Sequence, residues 1–373
     1  MRRIVAISDF CTNVPPEPGT WWGDDSPPLR LDKAVKVQGS YLERLPLAAV
    51  ASGLVDTAEV WSFTGSDTDP TGLSLSPLGI WERRFRADPH MAPYGSAQMC
   101  AHIAQYGAPE ILCVWGLGVN TQILDLCSSS IRIYNSLDVD ALRISPEISA
   151  HFDIFLTGSP AQTAEVHARH RDAIIAQMPI GPEFAAPETF YPLSTPKDFD
   201  IVYVAAAQPY KRHDILFDAL AALPRSITAL CVIGYGDQSD ALRSRVNELR
   251  INVTFVGPPG VSHDDVNRLM NRARIGVVCG VNDGAPAILT EYMLAGLPVL
   301  ANEDLKCGLN YILPETGRSA PAAHFDVAIM AMLDDLTHFE PRKTVLENWA
   351  WSHSAARLAE LVNQTRARRA DLT

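Results

Sequence analysis

The most constraining feature of this sequence is the regular alternation of short apolar runs with stretches of helical periodicity. In the first half, strand-like runs fall at residues 4–7, 60–63, 111–115, 131–134 and 154–157. The alternation begins again in the second half, with strands predicted at residues 201–205, 228–233, 253–256, 275–278 and 298–301. Repeated strand–helix units of this kind predict parallel sheets that are covered by helices on both faces.

Length and a proline-rich interruption divide the chain. A sequence of 373 residues exceeds one ordinary core and suits two Rossmann-like domains of roughly 150–200 residues each. Residues 187–200 are rich in Pro, Ser and Thr, which is typical of a linker. We predict an N-terminal domain over residues 1–190 and a C-terminal domain over residues 191–350. A last helix, within residues 351–373, is expected to return to the first domain. Two such domains facing each other leave a cleft for a ligand.

Charge and cysteine content exclude several classes of partner. The formal net charge of −12 argues against nucleic acid, although helix N-termini can hold a small phosphate-bearing ligand. The seven cysteines form no CxxC pair and are interpreted as reduced thiols of a cytoplasmic protein. The first apolar run is too short for a signal sequence or a membrane span. The basic cluster at residues 366–369 is interpreted as a solvated, frayed end, with peripheral contact to anionic lipid as the alternative.

The strongest candidate for a functional site is residues 281–301, V-N-D-G-A-P-A-I-L-T-E-Y-M-L-A-G-L-P-V-L-A. Here Asp283 and the Gly-Ala-Pro that follows lead a strand into a helix. Glycine permits an unusual turn, and proline at a first helical position leaves neighbouring N–H groups facing an anion or a hydroxyl. Glu291 falls about one and a half turns into that helix. The alternative is an ordinary capped helix with Glu291 in solvent, and spacing alone supports both equally.

This segment resembles the acidic-x7-acidic signature of the retaining GT-B glycosyltransferases of the group 1 family, E-G-x-P-x4-E-A-x-A-x-G-x-P-V-x-A. Four further passages match that family in the same order. They are A-Q-M-P-I-G-P-E-F at 176–184, A-A-A-Q-P-Y-K-R-H-D-I-L at 205–216, C-V-I-G-Y-G at 231–236 and N-V-T-F-V-G at 252–257. Because order and spacing agree across all five, the resemblance is specific. It is clear from about residue 150 to 301 and faint before that.

The resemblance implies a donor site for a nucleotide diphosphate sugar. Lys211 would neutralise the diphosphate as charge develops on the leaving group, the alternative being a surface lysine in a turn. Asp283 would bind sugar hydroxyls and Glu291 the ribose hydroxyls, while Gly257 would lie along the base. The backbone beside the sugar would come from Gly284, Ala285, Pro286 and Ala287.

The implied reaction transfers a hexosyl group, with retained configuration, to a hydroxyl of a glycan, a lipid-linked molecule or a small molecule. No metal or additional cofactor is implied. The sequence has no carboxylate cluster suited to Mg²⁺ and no His/Cys spacing suited to zinc. His167 and His170 lie three residues apart on a predicted helix, but no third ligand lies nearby in the sequence.

Three positions depart from the family pattern. Ala206 stands where the family has Arg, and Asp283 is one methylene, about 1–1.5 Å, shorter than the usual Glu. Residues 113–118, C-V-W-G-L-G, contain no histidine where the family has one. Loss of a transition-state contact costs several kcal/mol. We therefore predict that these changes impair catalysis more than they impair binding. Arg212, next to Lys211, is a candidate replacement for the lost cation.

Two other classes of function stay open at this stage. One is a non-catalytic GT-B-like protein that binds a sugar nucleotide or a protein partner. The other is a nucleotide-sugar epimerase, which needs acid–base carboxylates and a histidine in the cleft.

The acceptor side offers fewer candidates. Trp21 and Trp22 lie in the loop at residues 15–25. We predict that they either stack on a sugar ring or cover the core, and the sequence supports both equally. The other polar candidates are interpreted first as structural: His90, His102, Asp138 and Asp140.

Overall fold

The computed structural model describes residues 1–11, 21–23, 26–31, 34–64, 69–88, 90–91, 94–136 and 138–371. It divides the chain into two compact units, one of residues 1–180 with 351–373 and one of residues 181–350. The predicted tryptophan-containing loop lies largely outside the described residues, at 15–20 and 24–25. Within the described ranges, no helix combines the length and apolar character needed to cross a membrane.

Unit 1 contains a nine-stranded sheet in the order β2-β4-β5-β3-β1-β6-β7-β8-β9. Its strands are β1 (Arg3–Cys11), β2 (Trp21–Trp22), β3 (Thr57–Thr64), β4 (Gly72–Leu75), β5 (Trp81–Arg86), β6 (Ile111–Trp115), β7 (Ile131–Asn135), β8 (Ile154–Thr157) and β9 (Ile174–Gln177). Its first helices are α1 (Arg44–Ala51), α2 (Ala97–Tyr106), α3 (Thr121–Leu126), α4 (Pro146–Ser149) and α5 (Pro160–Arg169). The pairs β2–β4 and β4–β5 are antiparallel, and the other described strand pairs of this sheet are parallel.

Local sequence explains where these elements begin. Every residue of β3 is buried, as expected for a strand covered on both faces. The side chain of Ser96 accepts a hydrogen bond from the Met99 N–H and caps α2. Ser159 caps α5 in the same way, with Pro160 at the first helical position.

Unit 2 contains a six-stranded parallel sheet in the order β12-β11-β10-β13-β14-β15. Its strands are β10 (Phe199–Val204), β11 (Ala229–Val232), β12 (Val253–Val256), β13 (Ala273–Val278), β14 (Val299–Asn302) and β15 (Gly317–Ala320). Its helices are α6 (His213–Ala222), α7 (Ser239–Leu249), α8 (His263–Met270), α9 (Ile288–Leu294), α10 (Phe325–Asp334) and α11 (Pro341–Asn348). Alternate residues of β10 enter two different core clusters, with Ile201 and Tyr203 in one and Val202 in the other. The sheet is therefore covered on both faces.

The division between the units differs from the predicted linker. It lies between Ile180 and Gly181, earlier than the predicted boundary after residue 190. Phe190 is buried in the core of unit 2. The Tyr191 N–H donates to the Asn267 side chain at 3.1 Å. The proline-rich segment is thus packed against α8 within unit 2.

The final helix, α12 (Trp351–Asp371), belongs to unit 1. Its basic end is not the frayed, solvated segment that we predicted. Arg369 forms an ion pair with Asp153 at 2.8 Å, and Arg366 is paired with Glu110. These arginines therefore attach the helix end to the sheet of its own unit.

Candidate functional site

Three strands of unit 2, β10, β12 and β13, are followed at their carboxyl ends by predicted site residues. The sheet contains the run β12-β11-β10-β13. Because these strands are parallel, the loops that follow them lie along the same edge of the sheet. Lys211 and Arg212 come from the loop after β10, and Gly257 directly follows β12. Asp283 comes from the loop after β13.

An ion pair between Lys211 and Asp283 joins two of these loops. The distance from Lys211 Nζ to Asp283 Oδ2 is 2.5 Å, and the two side chains are only 16% and 10% exposed. A short 3-10 turn, Pro209–Lys211, presents the lysine. The Tyr203 hydroxyl donates to the Lys211 carbonyl. The Val281 N–H donates to the Tyr210 carbonyl at 3.3 Å. The predicted cation and carboxylate therefore lie together in a fixed, mostly buried arrangement.

The turn between Asp283 and α9 differs from the sequence prediction. The left-handed residue is Ala285, with φ of 58°, and not Gly284. Such a backbone conformation costs a non-glycine residue on the order of 1–3 kcal/mol and is enriched at functional sites. Because Ala285 is not helical, α9 begins only at Ile288, with Ala287 as its N-cap. Pro286 precedes the helix, where we had expected the first helical position.

Glu291 lies in the first turn of α9, closer to the helix start than we predicted. Its residue is 8% exposed, which rules out the alternative of a glutamate in solvent. The helix start is held by Thr290, whose hydroxyl donates to the Pro182 carbonyl at 2.9 Å. The passage at 176–184 resembled the family in sequence, but we had assigned it no role. Part of it supports this helix.

Gly257 occupies a position that only glycine fits. Its φ is 82°, and an added Cβ would lie 2.0 Å from the carbonyl oxygen of Ile233. Its own carbonyl accepts from Arg243 Nη2 at 2.5 Å. The Ala207 N–H, in the loop after β10, donates to the Tyr235 carbonyl, in the loop after β11, at 2.7 Å. The strand ends at this edge therefore contact one another through backbone atoms and leave little room for side chains.

Arg212 is already paired within its own loop. Its Nε and Nη2 donate to the two carboxylate oxygens of Asp214 at 2.9 and 2.7 Å. This hydrogen-bonded pair raises the pKa of Arg212 and lowers the pKa of Asp214. Ala206 is almost fully buried. For Arg212 to replace the missing cation, as we predicted, it must therefore break its hydrogen bonds to Asp214.

The unit 1 candidates fall into separate places. Asp138 forms an exposed ion pair with Arg143, while His90 and Asp140 are exposed. Trp22 is half exposed and packs edge-on against Trp81, with ring centroids 5.4 Å apart. For Trp21 the structure describes only the backbone.

The remaining histidine candidates form no metal site. His170 contacts Ser149 at 2.9 Å and stacks on Phe155, while His167 is exposed. Among the described residues there is no group of three His, Cys, Asp or Glu side chains that could hold a metal ion. His102 is buried against the aromatic rings of Trp61, Phe85 and Tyr106.

Two α/β units with a loop-built site at the carboxyl edge of a parallel sheet define the GT-B class, and comparisons with solved structures agree. The chain is similar to the sucrose-phosphate synthase of Thermosynechococcus elongatus, with a TM-score of 0.71, 20% identity, and coverage of 99% of this chain and 100% of that one. It is also similar to HepE of Anabaena, solved with UDP-glucose (TM-score 0.67, 15% identity, 98% and 100% coverage). The match to the pneumococcal O-GlcNAc transferase GtfA, solved with UDP and GlcNAc, has a TM-score of 0.58, 12% identity, and coverage of 72% of this chain and 60% of that one.

Part of the sequence also matches a known protein family. Residues 188–315 match the family described as "Glycosyl transferases group 1". This segment is about a third of the chain and contains Lys211, Gly257, Asp283 and Glu291. No curated protein sequence matches the chain.

Proposed function

We propose that the chain transfers a hexosyl group from a nucleotide diphosphate sugar to a hydroxyl acceptor, with retained anomeric configuration. The observation that carries this proposal is the ion pair of Lys211 and Asp283 at the carboxyl edge of the unit 2 sheet, with Glu291 buried nearby in sequence. A lysine in this setting binds a diphosphate, and the two carboxylates accept hydrogen bonds from hydroxyl groups.

In the proposed reaction the bond between the sugar C1 and the diphosphate oxygen breaks, and the acceptor oxygen bonds to C1. The acceptor proton passes to the leaving diphosphate. Lys211 stabilises the negative charge that develops on that diphosphate, which is electrostatic catalysis. When the diphosphate replaces Asp283 as the ion-pair partner of Lys211, the Asp283 carboxylate becomes available to the sugar hydroxyls. Glu291 holds the ribose, and Gly257 lets the base approach the end of β12.

The counter-charge in this proposal comes from the protein. The described residues offer Lys211 at the edge but no cluster of three metal-ligating side chains. In the proposed reaction Lys211, and not a metal ion, supplies the positive charge beside the diphosphate. HepE and the pneumococcal transferase have been solved with UDP, so we propose a UDP-sugar as the first donor to test. The acceptor class, whether glycan, lipid-linked or small molecule, is left to experiment.

A second candidate is a GT-B-like protein that binds the nucleotide sugar without turning it over. It is favoured by one specific observation. Ala206 replaces the family's arginine, and the neighbouring Arg212 is hydrogen-bonded to Asp214. Binding needs only part of the charge complement that the transition state needs, so it survives such a loss better than catalysis does.

Thermal-shift screening against UDP-, GDP-, ADP- and dTDP-sugars, followed by an assay of slow donor hydrolysis, tests these candidates. Stabilisation with hydrolysis supports the transferase, and stabilisation alone supports the binder. Conversion of the sugar without its release would indicate an epimerase. Lys211→Ala should reduce both the stabilisation and the hydrolysis, while Lys343→Ala, at an exposed lysine of the same unit, should leave both unchanged. Absence of stabilisation by every nucleotide would refute the proposal.

A further inference from the structure

The proposed donor site holds less positive charge than its ligand holds negative charge. Each phosphate of a nucleotide diphosphate sugar bears a negative charge, and a further one develops on the leaving diphosphate as the bond to the sugar breaks. Lys211 supplies a single positive charge, and Asp283 balances it. Phosphoryl groups in proteins are commonly held by clamps of several cationic donors. A second cation at this edge would therefore strengthen binding of the diphosphate.

Two arginines near this edge are already engaged in other contacts. Arg212 is paired with Asp214 at 2.7 Å. Arg243 donates to the Gly257 carbonyl at 2.5 Å, and its guanidinium lies 4.7 Å from the centre of the Phe255 ring. Both side chains would have to break these contacts before they could pair with a phosphate.

The loop that follows β14 brings a further lysine to the same edge of the sheet. Because β14 pairs in parallel with β13, this loop lies next to the one that carries Asp283. The Lys306 N–H donates to the Val281 carbonyl at 3.0 Å, two residues before Asp283. The Asn302 side chain donates to the Cys279 carbonyl at 3.1 Å. The backbone of Lys306 is therefore fixed beside the Asp283 loop.

Gly308 extends this contact to the turn before α9. Its φ is 103°, and a Cβ added at this position would lie 3.6 Å from the Ala285 Cα and 2.7 Å from the Leu289 Cδ1. The segment from Lys306 to Gly308 therefore runs along the turn that links Asp283 to α9.

The side chain of Lys306 is accessible to a ligand. The adjacent Leu305 and Cys307 are buried and anchor the loop, whereas Lys306 is exposed. Among the described residues no carboxylate forms an ion pair with it, although Glu303 and Asp304 lie in the same loop. A lysine carries its three N–H donors on a flexible four-carbon stem. Lys306 can thus bind a phosphate without giving up an existing ion pair.

On the premise of the proposed function, we infer that Lys306 is a second cationic contact of the donor diphosphate and replaces the cation that is missing at Ala206. In the sheet β13 lies between β10 and β14, so the loops of Lys211 and Lys306 flank the Asp283 loop on its two sides. The two lysines would approach the diphosphate from these two sides. Because negative charge grows on the leaving group, Lys306 should contribute to turnover as well as to binding.

Calorimetric titration of the full chain with UDP and with uridine tests this role. Lys306→Gln should weaken UDP binding about tenfold, or about 1.4 kcal/mol. It should leave uridine binding unchanged, because uridine has no phosphate. Lys306→Arg keeps the charge and should retain most of the UDP affinity. Lys343→Gln, at an exposed lysine of the same unit, should bind UDP like wild type. At about 0.15 M ionic strength the Debye length is about 8 Å, so distant charges contribute little to these differences.

Two results would overturn the role of Lys306 and leave the proposed function intact. One is equal UDP affinity in wild type and Lys306→Gln. The other is a loss of uridine binding as large as the loss of UDP binding, which would indicate a general change of the site. An unchanged unfolding temperature of Lys306→Gln without ligand checks that its fold is intact.

The wild type decides separately on the proposed function. If GDP, ADP or dTDP binds in place of UDP, that diphosphate and its nucleoside replace UDP and uridine in the titrations. If none of the four binds, the proposed function fails, and the role of Lys306 fails with it.

Discussion

The ion pair between Lys211 and Asp283 allows the sharpest test of the proposed donor site. Its atoms are 2.5 Å apart, and the side chains are 16% and 10% exposed. Removing one partner of a fully buried pair costs about 3–5 kcal/mol, because the other charge is left uncompensated. The remaining exposure lets water reach the pair. We therefore expect Lys211→Met or Asp283→Asn to lower the free energy of unfolding by about 2–3 kcal/mol.

Removing both charges should cost much less than the sum of the single changes. In the double variant neither charge is left alone, so the coupling energy should exceed about 1 kcal/mol. Calorimetric unfolding is a suitable measurement, since 1 kcal/mol shifts Tm by about 2–4 °C for a domain of 150–250 residues. The pair of Lys343 and Glu340, 3.1 Å apart but exposed, is the matched control, and its cycle should show coupling below about 1 kcal/mol.

The same variants separate binding from turnover. If a diphosphate must displace Asp283 from Lys211, Asp283→Asn should bind UDP more tightly than wild type, by up to about tenfold. Turnover of the donor should nevertheless fall, because Asp283 is the proposed partner of the sugar hydroxyls. Lys211→Met should lower kcat/KM by about 10²–10³. Isothermal titration with UDP and a donor-hydrolysis assay measure both. Additive stabilities together with unchanged UDP affinity in Asp283→Asn would refute this reasoning.

Three further predictions concern unit 2. Gly257→Ala should destabilise it by more than about 2 kcal/mol in denaturant titrations, because the new Cβ meets the Ile233 carbonyl, whereas Gly234→Ala, with open space around it, should not. Burial lowers the pKa of His213 from 6.5 to about 4, so the unfolded chain binds a proton within that pH range while the folded one does not. Stability should therefore fall by up to about 3 kcal/mol as the pH falls through that range, and His213→Phe should remove this part of the slope. Arg212→Ala should change UDP affinity less than about fivefold, as expected for an exposed arginine already paired in its own loop.

Apolar runs were sufficient to predict the central parallel strands but not β5 of the unit 1 sheet, which lies between β4 and β3. β5 reads W-E-R-R-F-R, which no hydrophobic pattern identifies as a buried strand. It is buried because Arg83 pairs with Glu59 of the neighbouring β3 at 2.9 Å. The two residues are far apart in sequence, and either of them alone looks like a surface charge. Only the strand pairing brings them together.

The site residues were predicted by motif, but their relations were not. Spacing placed Lys211 and Asp283 on two separate loops, and nothing in it indicated that they form an ion pair. The left-handed residue was expected at Gly284, since glycine adopts that conformation most easily, yet the chain places it at Ala285. For Arg212, in contrast, the sequence did indicate a local ion pair, because Asp214 lies only two residues further along the chain.

These relations bear on whether the site catalyses or only binds. Asp283 balances the charge of Lys211, and Ala206 supplies no second cation. A diphosphate must then compete with a carboxylate for one lysine, which lowers donor affinity but does not abolish it. The transition state carries more negative charge on the leaving group than the ground state does, so it gains more from Lys211 once the pair is broken. A functioning transferase should therefore respond to Lys211→Met more strongly in kcat than in KM, whereas a binding protein would lose nucleotide affinity alone.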